Sequence, residues 1–287
     1  MADPSDFPDD QVILARIARA IENAVPKGMD IKTLAGQLIR QAIDEVIDAP
    51  RTKRLLLAHC EKTEKTYLGT KIEILLRSKL KLKKGRILDL LVDGTEVDIK
   101  HSIARSWMIP REAIGRVCLL ITEHEQRGEF SLGLLMCRPE NLRIAANQDR
   151  KVGVSAEGLA RVHWIVRNER YPKNIWIGFD PDLLASILKL RGGTKRLVLL
   201  FREYQSRPVS RSAVAAIATQ LDPMKRIRGN GGARSVLKSD KVAILSGKYH
   251  SDLALKLGLP KLYPDEFISV TPCNDDEFAL LRSAKLL

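Results

Sequence analysis

The sequence contains few cysteines, and none of them has the spacing of a metal site. Cys60, Cys118, Cys137 and Cys273 are far apart and form no CxxC pair. This arrangement argues against a structural zinc site and against a disulfide framework. Cys118 and Cys137 lie within apolar runs, so we expect them in the hydrophobic core. The pattern fits a reducing cytoplasm, which is the location that we predict.

Membrane features are also missing from the sequence. No apolar run is long enough to cross a bilayer, and no lipidation motif is present. The first ten residues are acidic and lack the apolar stretch of a secretory signal. We therefore expect a chain without a membrane partner.

Acidic residues are in deficit. The 287 residues include 48 Lys and Arg against 35 Asp and Glu, which gives a formal charge of +13 and favours a polyanionic partner such as double-stranded DNA. The excess is concentrated between Lys189 and Lys248, where 14 basic residues face three acidic ones. At 45% hydrophobic residues the chain can bury ordinary cores, and its length predicts about two domains.

The segment from Asp89 to Ser102 predicts a β-hairpin. Asp93-Gly94 is typical of a two-residue turn, because both residues tolerate a positive φ. With this turn as the loop, one face of the hairpin carries two apolar cross-strand pairs, Leu90 with Val97 and Leu88 with Ile99. The other face carries Asp89 directly opposite Asp98, with Lys100 pointing the same way.

Two carboxylates on facing positions of a hairpin favour a bound cation. Their Cβ atoms would lie roughly 5 Å apart, and the like charges would raise each other's pKa without a cation between them. Oxygen ligands suit Mg²⁺, which takes one or two protein carboxylates and keeps waters and phosphate oxygens. Glu73, near the predicted start of a helix, is a candidate third carboxylate. Lys100 would stabilise charge on a phosphate.

The order Glu73, Asp89, Asp98-x-Lys100 has the form of the PD-(D/E)xK signature of phosphodiester-cleaving enzymes. The DxK pattern alone is common, and it also occurs on solvated edge hairpins with scattered surface charge. The division of this hairpin into an apolar and a charged face, together with Glu73 upstream, favours the nuclease interpretation.

Three segments of the chain resemble the NaeI family of type II restriction endonucleases. They are the stretch from Lys62 to Glu73, the strand from Val97 to Ser102, and the motif from Met224 to Leu237, which is long and unusual. The resemblance runs in order through most of the chain. The departures at Ile99 and His101 touch no catalytic side chain.

The resemblance implies a function and a site. The family's catalytic set falls on Glu73, Asp89, Asp98 and Lys100, and Mg²⁺ would be held by Asp89, Asp98, Glu73 and the backbone carbonyl of Ile99. The expected substrate is a GC-rich palindrome in double-stranded DNA, with cleavage stimulated by a second bound duplex. We expect a homodimer, because two copies related by a two-fold axis cut both strands of a palindrome most simply.

The expected fold class is α/β, with a PD-(D/E)xK core followed by a winged helix-turn-helix domain. Residues 1–168 are predicted to form the endonuclease domain, in which helices over 11–24 and 31–47 flank a mixed sheet with strands over 116–122 and 130–137. Residues 169–174 read as a polar, proline-containing linker. Residues 175–287 are predicted to form the DNA-binding domain, with one helix over Ser210–Gln220 and a second helix capped by Asp222. The predicted DNA contacts of this domain are Arg207, Arg211, Lys225, Arg226, Arg228, Arg234 and Lys238.

Two other classes of function remain open at this point. One is a winged-helix regulator with a catalytically dead first domain, which the intact set of three acids and a lysine disfavours. The other is a nickase of the mismatch-repair type, which shares the catalytic core and cuts one strand. A Mg²⁺-dependent cleavage assay that separates nicks from double-strand breaks would distinguish all three.

Overall fold

The computed structural model describes residues 8–146, 149–219 and 222–287. The chain forms two compact units. The first comprises the described residues up to Val46 together with Cys60–Asn174, and the second comprises Ile47–His59 together with Ile175–Leu287. Within the described ranges, no helix has both the length and the apolar character needed to cross a membrane.

The first unit is built on a mixed sheet with helices packed against it, as predicted. Its five strands are β1 (Leu90–Val92), β2 (Thr95–His101), β4 (Val117–His124), β5 (Glu129–Met136) and β8 (His163–Arg170), in the order β1-β2-β4-β5-β8. Only β2 and β4 are parallel neighbours; the other pairs are antiparallel. A second sheet consists of β3 (Met108–Ile109), β6 (Leu142–Ala146) and β7 (Val152–Val154).

The helices of the first unit are α1 (Pro8–Asn23), α2 (Ile31–Ile47), α4 (Lys62–Lys79) and α5 (Ala156–Ala160). The predicted helices over 11–24 and 31–47 are confirmed as α1 and α2. Helix α1 packs against β1, β5 and β8, and α4 packs against β2. The apolar runs predicted as buried strands are β4 and β5, and Cys118 and Cys137 are buried there as expected.

The second unit combines short helices with a three-stranded antiparallel sheet. Its helices are α3 (Ala49–Thr52), α6 (Pro181–Lys189), α7 (Gly193–Glu203), α8 (Arg211–Ala218), α9 (Ala233–Ser239), α10 (Gly247–Lys256) and α11 (Asp275–Ser283). Its strands are β9 (Val209–Ser210), β10 (Ala243–Ser246) and β11 (Glu266–Val270), in the order β10-β11-β9. From α7 onward the helices and strands follow in the order α7, β9, α8, α9, β10, α10 and β11, so α10 connects the last two strands.

The segment predicted as a linker belongs to the first unit. Strand β8 continues to Arg170, Tyr171 is buried, and the amide of Asn174 donates a hydrogen bond of 3.1 Å to the buried Glu125. The second unit begins at Ile175 but also recruits Ile47–His59, which the sequence analysis placed in the first domain. The physical reason is apolar packing, since Leu55 and Leu56 lie against the hydrophobic core of the second unit.

Four single-turn 3₁₀ segments complete the described structure. They are Leu57–His59, Arg111–Ala113, Pro139–Asn141 and Pro223–Arg226. The last is the turn that the sequence analysis expected as a helix capped by Asp222. The Asp222 carboxylate does accept a hydrogen bond of 3.1 Å from the Lys225 backbone N–H. The predicted helix over Ser210–Gln220 is α8, and Gln220 itself lies outside the described residues.

Candidate active site

The hairpin turn lies at Asp93-Gly94, as the sequence predicts. Both residues have positive φ, 46° for Asp93 and 74° for Gly94. The register is also confirmed over β1, where the cross-strand pairs are Leu90 with Val97, Leu91 with Glu96 and Val92 with Thr95.

The ladder ends at Leu90 and Val97, two cross-strand pairs short of the prediction, which also included Asp89 with Asp98 and Leu88 with Ile99. Asp89 and Leu88 lie before β1, in a bend held by the Glu96 carboxylate, which accepts hydrogen bonds from three backbone N–H groups. Those groups belong to Arg86, Ile87 and Leu88, at 2.6, 3.0 and 3.2 Å.

The bend changes where the Leu88 side chain goes. Leu88 packs in the hydrophobic cluster of Cys118 and Leu120 rather than opposite Ile99. That cluster lies on the Asp98 side of the sheet, since Cys118 is the register partner of Asp98 and its Sγ is 3.7 Å from Asp98 Oδ2. The expectation of a wholly apolar opposite face is therefore wrong for Leu88. Leu90, Val97 and Ile99 are buried as predicted.

The structure nevertheless brings the two aspartates together. Asp89 Oδ2 accepts a hydrogen bond of 2.7 Å from the backbone N–H of Ile99, which directs its carboxyl group toward β2. The Asp89 carboxyl interacts with that of Asp98 both as a charge and as a hydrogen-bond partner. Lys100 Nζ lies 2.6 Å from Asp98 Oδ2 and 3.1 Å from the carbonyl oxygen of Ile99.

The electrostatics of this cluster are those of crowded carboxyl groups. Burial raises the pKa of Asp98 to about 6, with Asp89 adding to the rise and Lys100 opposing it. The pKa of Glu73 is raised mainly by burial and then by the charge of Asp89, against the effects of Arg77 and Lys100. Glu73 thus shares the electrostatic environment of Asp89 and Lys100, and its Oε1 accepts a hydrogen bond of 2.8 Å from Arg77.

The donor set suits a small hard cation held by few protein ligands. Among the described residues, no group of three or more His, Cys, Asp or Glu side chains is arranged to hold a metal ion. Two adjacent carboxylates with a backbone carbonyl remain, which matches the one or two carboxylates that Mg²⁺ takes. The Lys100 ammonium contacts two of these oxygens, Asp98 Oδ2 and Ile99 O, so this position attracts positive charge.

Helix α4 carries Glu73 and is longer than predicted. It begins at Lys62, where Glu61 and Glu64 form a capping box, so Glu73 lies in its interior rather than near its start. Gly69, one turn before Glu73, packs closely against β2: a Cβ added there would lie 3.2 Å from Cβ of His101. The absence of a side chain at Gly69 therefore permits a close approach of α4 to β2 one turn before Glu73.

Gly69→Ala is expected to slow cleavage by about tenfold. The added methyl group pushes α4 away from His101 by a few tenths of an ångström, and misplacement of about 1 Å at a reacting centre can cost up to ~10²-fold. Thr70→Ala, an exposed position on the same helix, is the matched control. Single-turnover cleavage rates of the two variants check this, and equal rates would contradict the spacer role of Gly69.

A buried polar network that links β2 and β4 was not predicted from the sequence. Glu123 in β4 is 1% exposed, its Oε2 accepts a hydrogen bond of 3.1 Å from the Tyr171 hydroxyl, and its Oε1 lies 3.9 Å from Nε2 of the buried His101. Burial raises the pKa of Glu123 to about 7 and lowers that of His101 to about 4. The sequence feature that could have indicated this network is Glu123, a charged residue close behind the apolar residues of β4.

Glu123→Gln is expected to flatten the pH dependence of stability. Between the ordinary pKa of 4.5 and about 7, the folded state holds the proton more tightly than the unfolded chain. The free energy of unfolding therefore falls as pH rises through this window, by ~3 kcal/mol at most. Glutamine mimics the protonated form of Glu123. In urea titrations, Glu123→Gln should therefore lose less free energy of unfolding between pH 4 and pH 8 than Glu129→Gln, a more exposed control on β5. Equal losses would contradict the assignment.

The predicted DNA contacts fall into two groups in the structure. Five of the side chains are exposed: Arg207, Arg211, Lys225, Arg228 and Lys238. Arg226 is half-buried, with its Nε in the interior. Arg234 is also partly buried, and its Nε donates a hydrogen bond of 3.0 Å to the carbonyl of Ile244, so it supports the unit from within.

Comparison with known proteins gives the class first. A family model described as "Restriction endonuclease NaeI" matches residues 15–277, nearly the whole chain, and its class is the type II site-specific DNA endonucleases. The curated type II restriction enzyme NaeI of Lentzea aerocolonigenes is 34% identical over an alignment of 289 residues, covering 97% of this chain and 89% of that protein. The chain belongs to the NaeI family of restriction endonucleases.

Proposed function

We propose that the protein is a Mg²⁺-dependent type II restriction endonuclease that hydrolyses both strands of double-stranded DNA at a GC-rich palindrome. The observation that carries this proposal is the cluster of Asp89, Asp98 and Lys100 at one hairpin, with Glu73 approaching from α4. Its likeness to the restriction enzyme of L. aerocolonigenes over 97% of the chain supports the substrate class.

The roles of the residues follow from their contacts. Asp89, Asp98 and the Ile99 carbonyl would hold Mg²⁺, and Glu73 would complete the site directly or through water. A bound Mg²⁺ ion supplies Lewis-acid stabilisation of negative charge on the phosphate oxygens. The Ile99 N–H fixes the orientation of Asp89. Burial raises the pKa of Asp98, and Asp89 adds to that rise, so a cation held between the two carboxylates would stabilise their charged forms.

Lys100 has a separate role in the proposed hydrolysis. Its ammonium contacts the cluster through Asp98 and Ile99, so it would lie close to a phosphate bound there and could donate to a phosphate oxygen. Water adds to phosphorus, one P–O bond to a sugar oxygen breaks, and the products are a phosphate monoester and a free hydroxyl group. The positive charge of Lys100 stabilises the negative charge that grows on the phosphate.

The second unit is proposed to be a winged-helix domain that binds a second DNA duplex and stimulates cleavage. The succession of α7, β9, α8, α9, β10 and β11 supports this, since a winged helix has the order helix, strand, helix, helix, strand, strand. The concentration of basic residues between Lys189 and Lys248 supports it independently. A homodimer and a cytoplasmic location remain predictions.

Plasmid digestion tests the proposed function. The full chain with Mg²⁺ is expected to produce linear DNA whose sequenced ends all map to one GC-rich palindrome. Nicked circles alone would support the mismatch-repair type of nickase instead. DNA binding without any strand cleavage, in Mg²⁺ and in Mn²⁺, would support the catalytically dead regulator.

A further inference from the structure

The connection between β10 and β11 contains a helix where a hairpin loop would suffice. The two strands are antiparallel neighbours, paired up to Ser246 and Phe267, and α10 lies between them. In a winged helix this connection is the wing, and it stands beside the second helix of the helix-turn-helix. The first turn of α10 carries Lys248, which is exposed, and Tyr249, which is 73% exposed.

Close contacts fix the backbone of this turn. A Cβ at Gly247 would lie 1.8 Å from the carbonyl oxygen of Tyr263, so only glycine permits this approach. The Ser246 backbone N–H donates a hydrogen bond of 3.1 Å to Nδ1 of His250, whose own backbone is non-helical at φ −133°. The end of β10 and the start of α10 are thereby tied together, and the turn is held in one orientation.

The two exposed side chains form an ordered pair. Lys248 Nζ lies 5.2 Å from the ring centroid of Tyr249, within the range of a cation–π contact. The Tyr249 ring in turn meets the His250 ring edge to face, with centroids 6.2 Å apart. An exposed tyrosine and lysine are therefore presented together, with part of their conformational freedom already lost.

The residue that follows the pair, His250, lies near α9. Arg234, in the first turn of α9, donates its hydrogen bond to Ile244 of β10, which leads directly into α10. The pKa of His250 is lowered by burial and then by the charge of Arg234, which places the two side chains in each other's electrostatic range. Helix α9 is the second helix of the proposed helix-turn-helix, so His250, the residue next to the pair, lies within electrostatic range of the proposed recognition helix.

We propose that Lys248 and Tyr249 bind the phosphodiester backbone of the duplex that the second unit engages, so that α10 acts as the wing. This inference rests on the proposed DNA-binding function of that unit. Lysine and the tyrosine hydroxyl are both donors to phosphate oxygens. The charge of the surrounding sequence favours DNA over an acidic protein surface, since 14 basic residues face three acidic ones up to Lys248.

Site-specific photocrosslinking tests the contact in the full chain. A photoreactive benzoyl-phenylalanine replaces Tyr249, Leu255 or Lys238, one at a time, and the probe is a labelled duplex with the mapped cleavage sequence, without Mg²⁺. Leu255, 52% exposed at the other end of α10, is the matched control, and Lys238 reports on α9. Crosslinking to DNA is expected from position 249 and absent from position 255.

The other outcomes separate the two proposals. Crosslinks to DNA from position 238 without any from 249 would overturn the role of α10 and leave the DNA-binding unit standing. No DNA crosslink from either position would overturn both. A crosslink from 249 to a second protein chain would overturn the inference in favour of a protein interface.

Binding measurements give a second, independent result. Lys248→Ala is expected to reduce the slope of log K against log salt by about 0.9, the value for one lost phosphate contact. Tyr249→Phe is expected to weaken binding by about two- to tenfold with the slope unchanged, since a neutral hydrogen bond is lost. Lys256→Ala, at the far end of α10, should leave both the salt slope and the affinity for DNA unchanged. Unaltered binding by Lys248→Ala and Tyr249→Phe would overturn the inference.

Discussion

Replacing Asp98 by asparagine is expected to abolish cleavage, by a factor on the order of 10³ or more, while leaving duplex binding intact or tighter. The change removes an acid that interacts with Asp89 and lies 2.6 Å from Lys100 Nζ, and it keeps the shape of the side chain nearly constant. It also removes a negative charge that faces phosphate, so binding without metal should not weaken. Because burial and Asp89 raise the pKa of Asp98, the neutral side chain should keep or increase the thermal stability.

The control for this experiment lies on the same hairpin. Asp93→Asn removes an exposed carboxylate that pairs with Arg16 at 3.3 Å, and asparagine accepts the positive φ of that turn position. Its cleavage rate in Mg²⁺ should match that of the parent. Strong residual cleavage by Asp98→Asn, next to an unaltered Asp93→Asn, would contradict the assigned site.

The triple change of Lys225, Arg228 and Lys238 to alanine is expected to have the largest effect on DNA binding. All three side chains are exposed in the second unit, and Arg226 is spared because its Nε is buried. If each one contacts phosphate, the slope of log K against log salt falls by about 2.7. Stimulation of plasmid cleavage by added cognate duplex should disappear, because coupling between two sites requires that the second be occupied.

A charge-matched variant shows whether the location or the total charge matters. Lys256, Lys261 and Lys285 are exposed in the same unit but lie beyond the basic region, and their change to alanine removes the same three charges. This variant should keep most of the salt dependence and all of the stimulation. If both triple variants lose the same amount of salt dependence and of stimulation, DNA binding by the second unit is not localised to the predicted surface.

The hairpin shows what local sequence can predict. Asp93-Gly94 fixed the turn, because few residue pairs accept two positive φ values, and the period of two then determined the register of β1 and β2. The helices α1 and α2 were likewise predicted from the spacing of their apolar residues. The four proposed site residues were selected from this local geometry together with the resemblance to the family.

Contacts between distant residues account for the rest. The bend before β1 depends on the Glu96 carboxylate reaching three backbone N–H groups up to ten positions earlier, which no periodic pattern signals. Tyr171 and Asn174 lie in a polar, proline-containing stretch, yet their partners in β4 and the loop after it bury them. Arg234 was predicted to contact DNA because it lies in the basic region. In the structure its Nε donates a hydrogen bond to the carbonyl of Ile244 in β10.

The recruitment of Ile47–His59 into the second unit bears on how the protein is synthesised. Leu55 and Leu56 leave the ribosome long before the chain from Ile175 onward, against which they pack. At translation rates of about 5–20 residues per second, this segment waits on the order of ten seconds for its partners. The second unit therefore completes its core after translation of the first unit has ended, and a fragment that starts at Ile175 lacks part of that core.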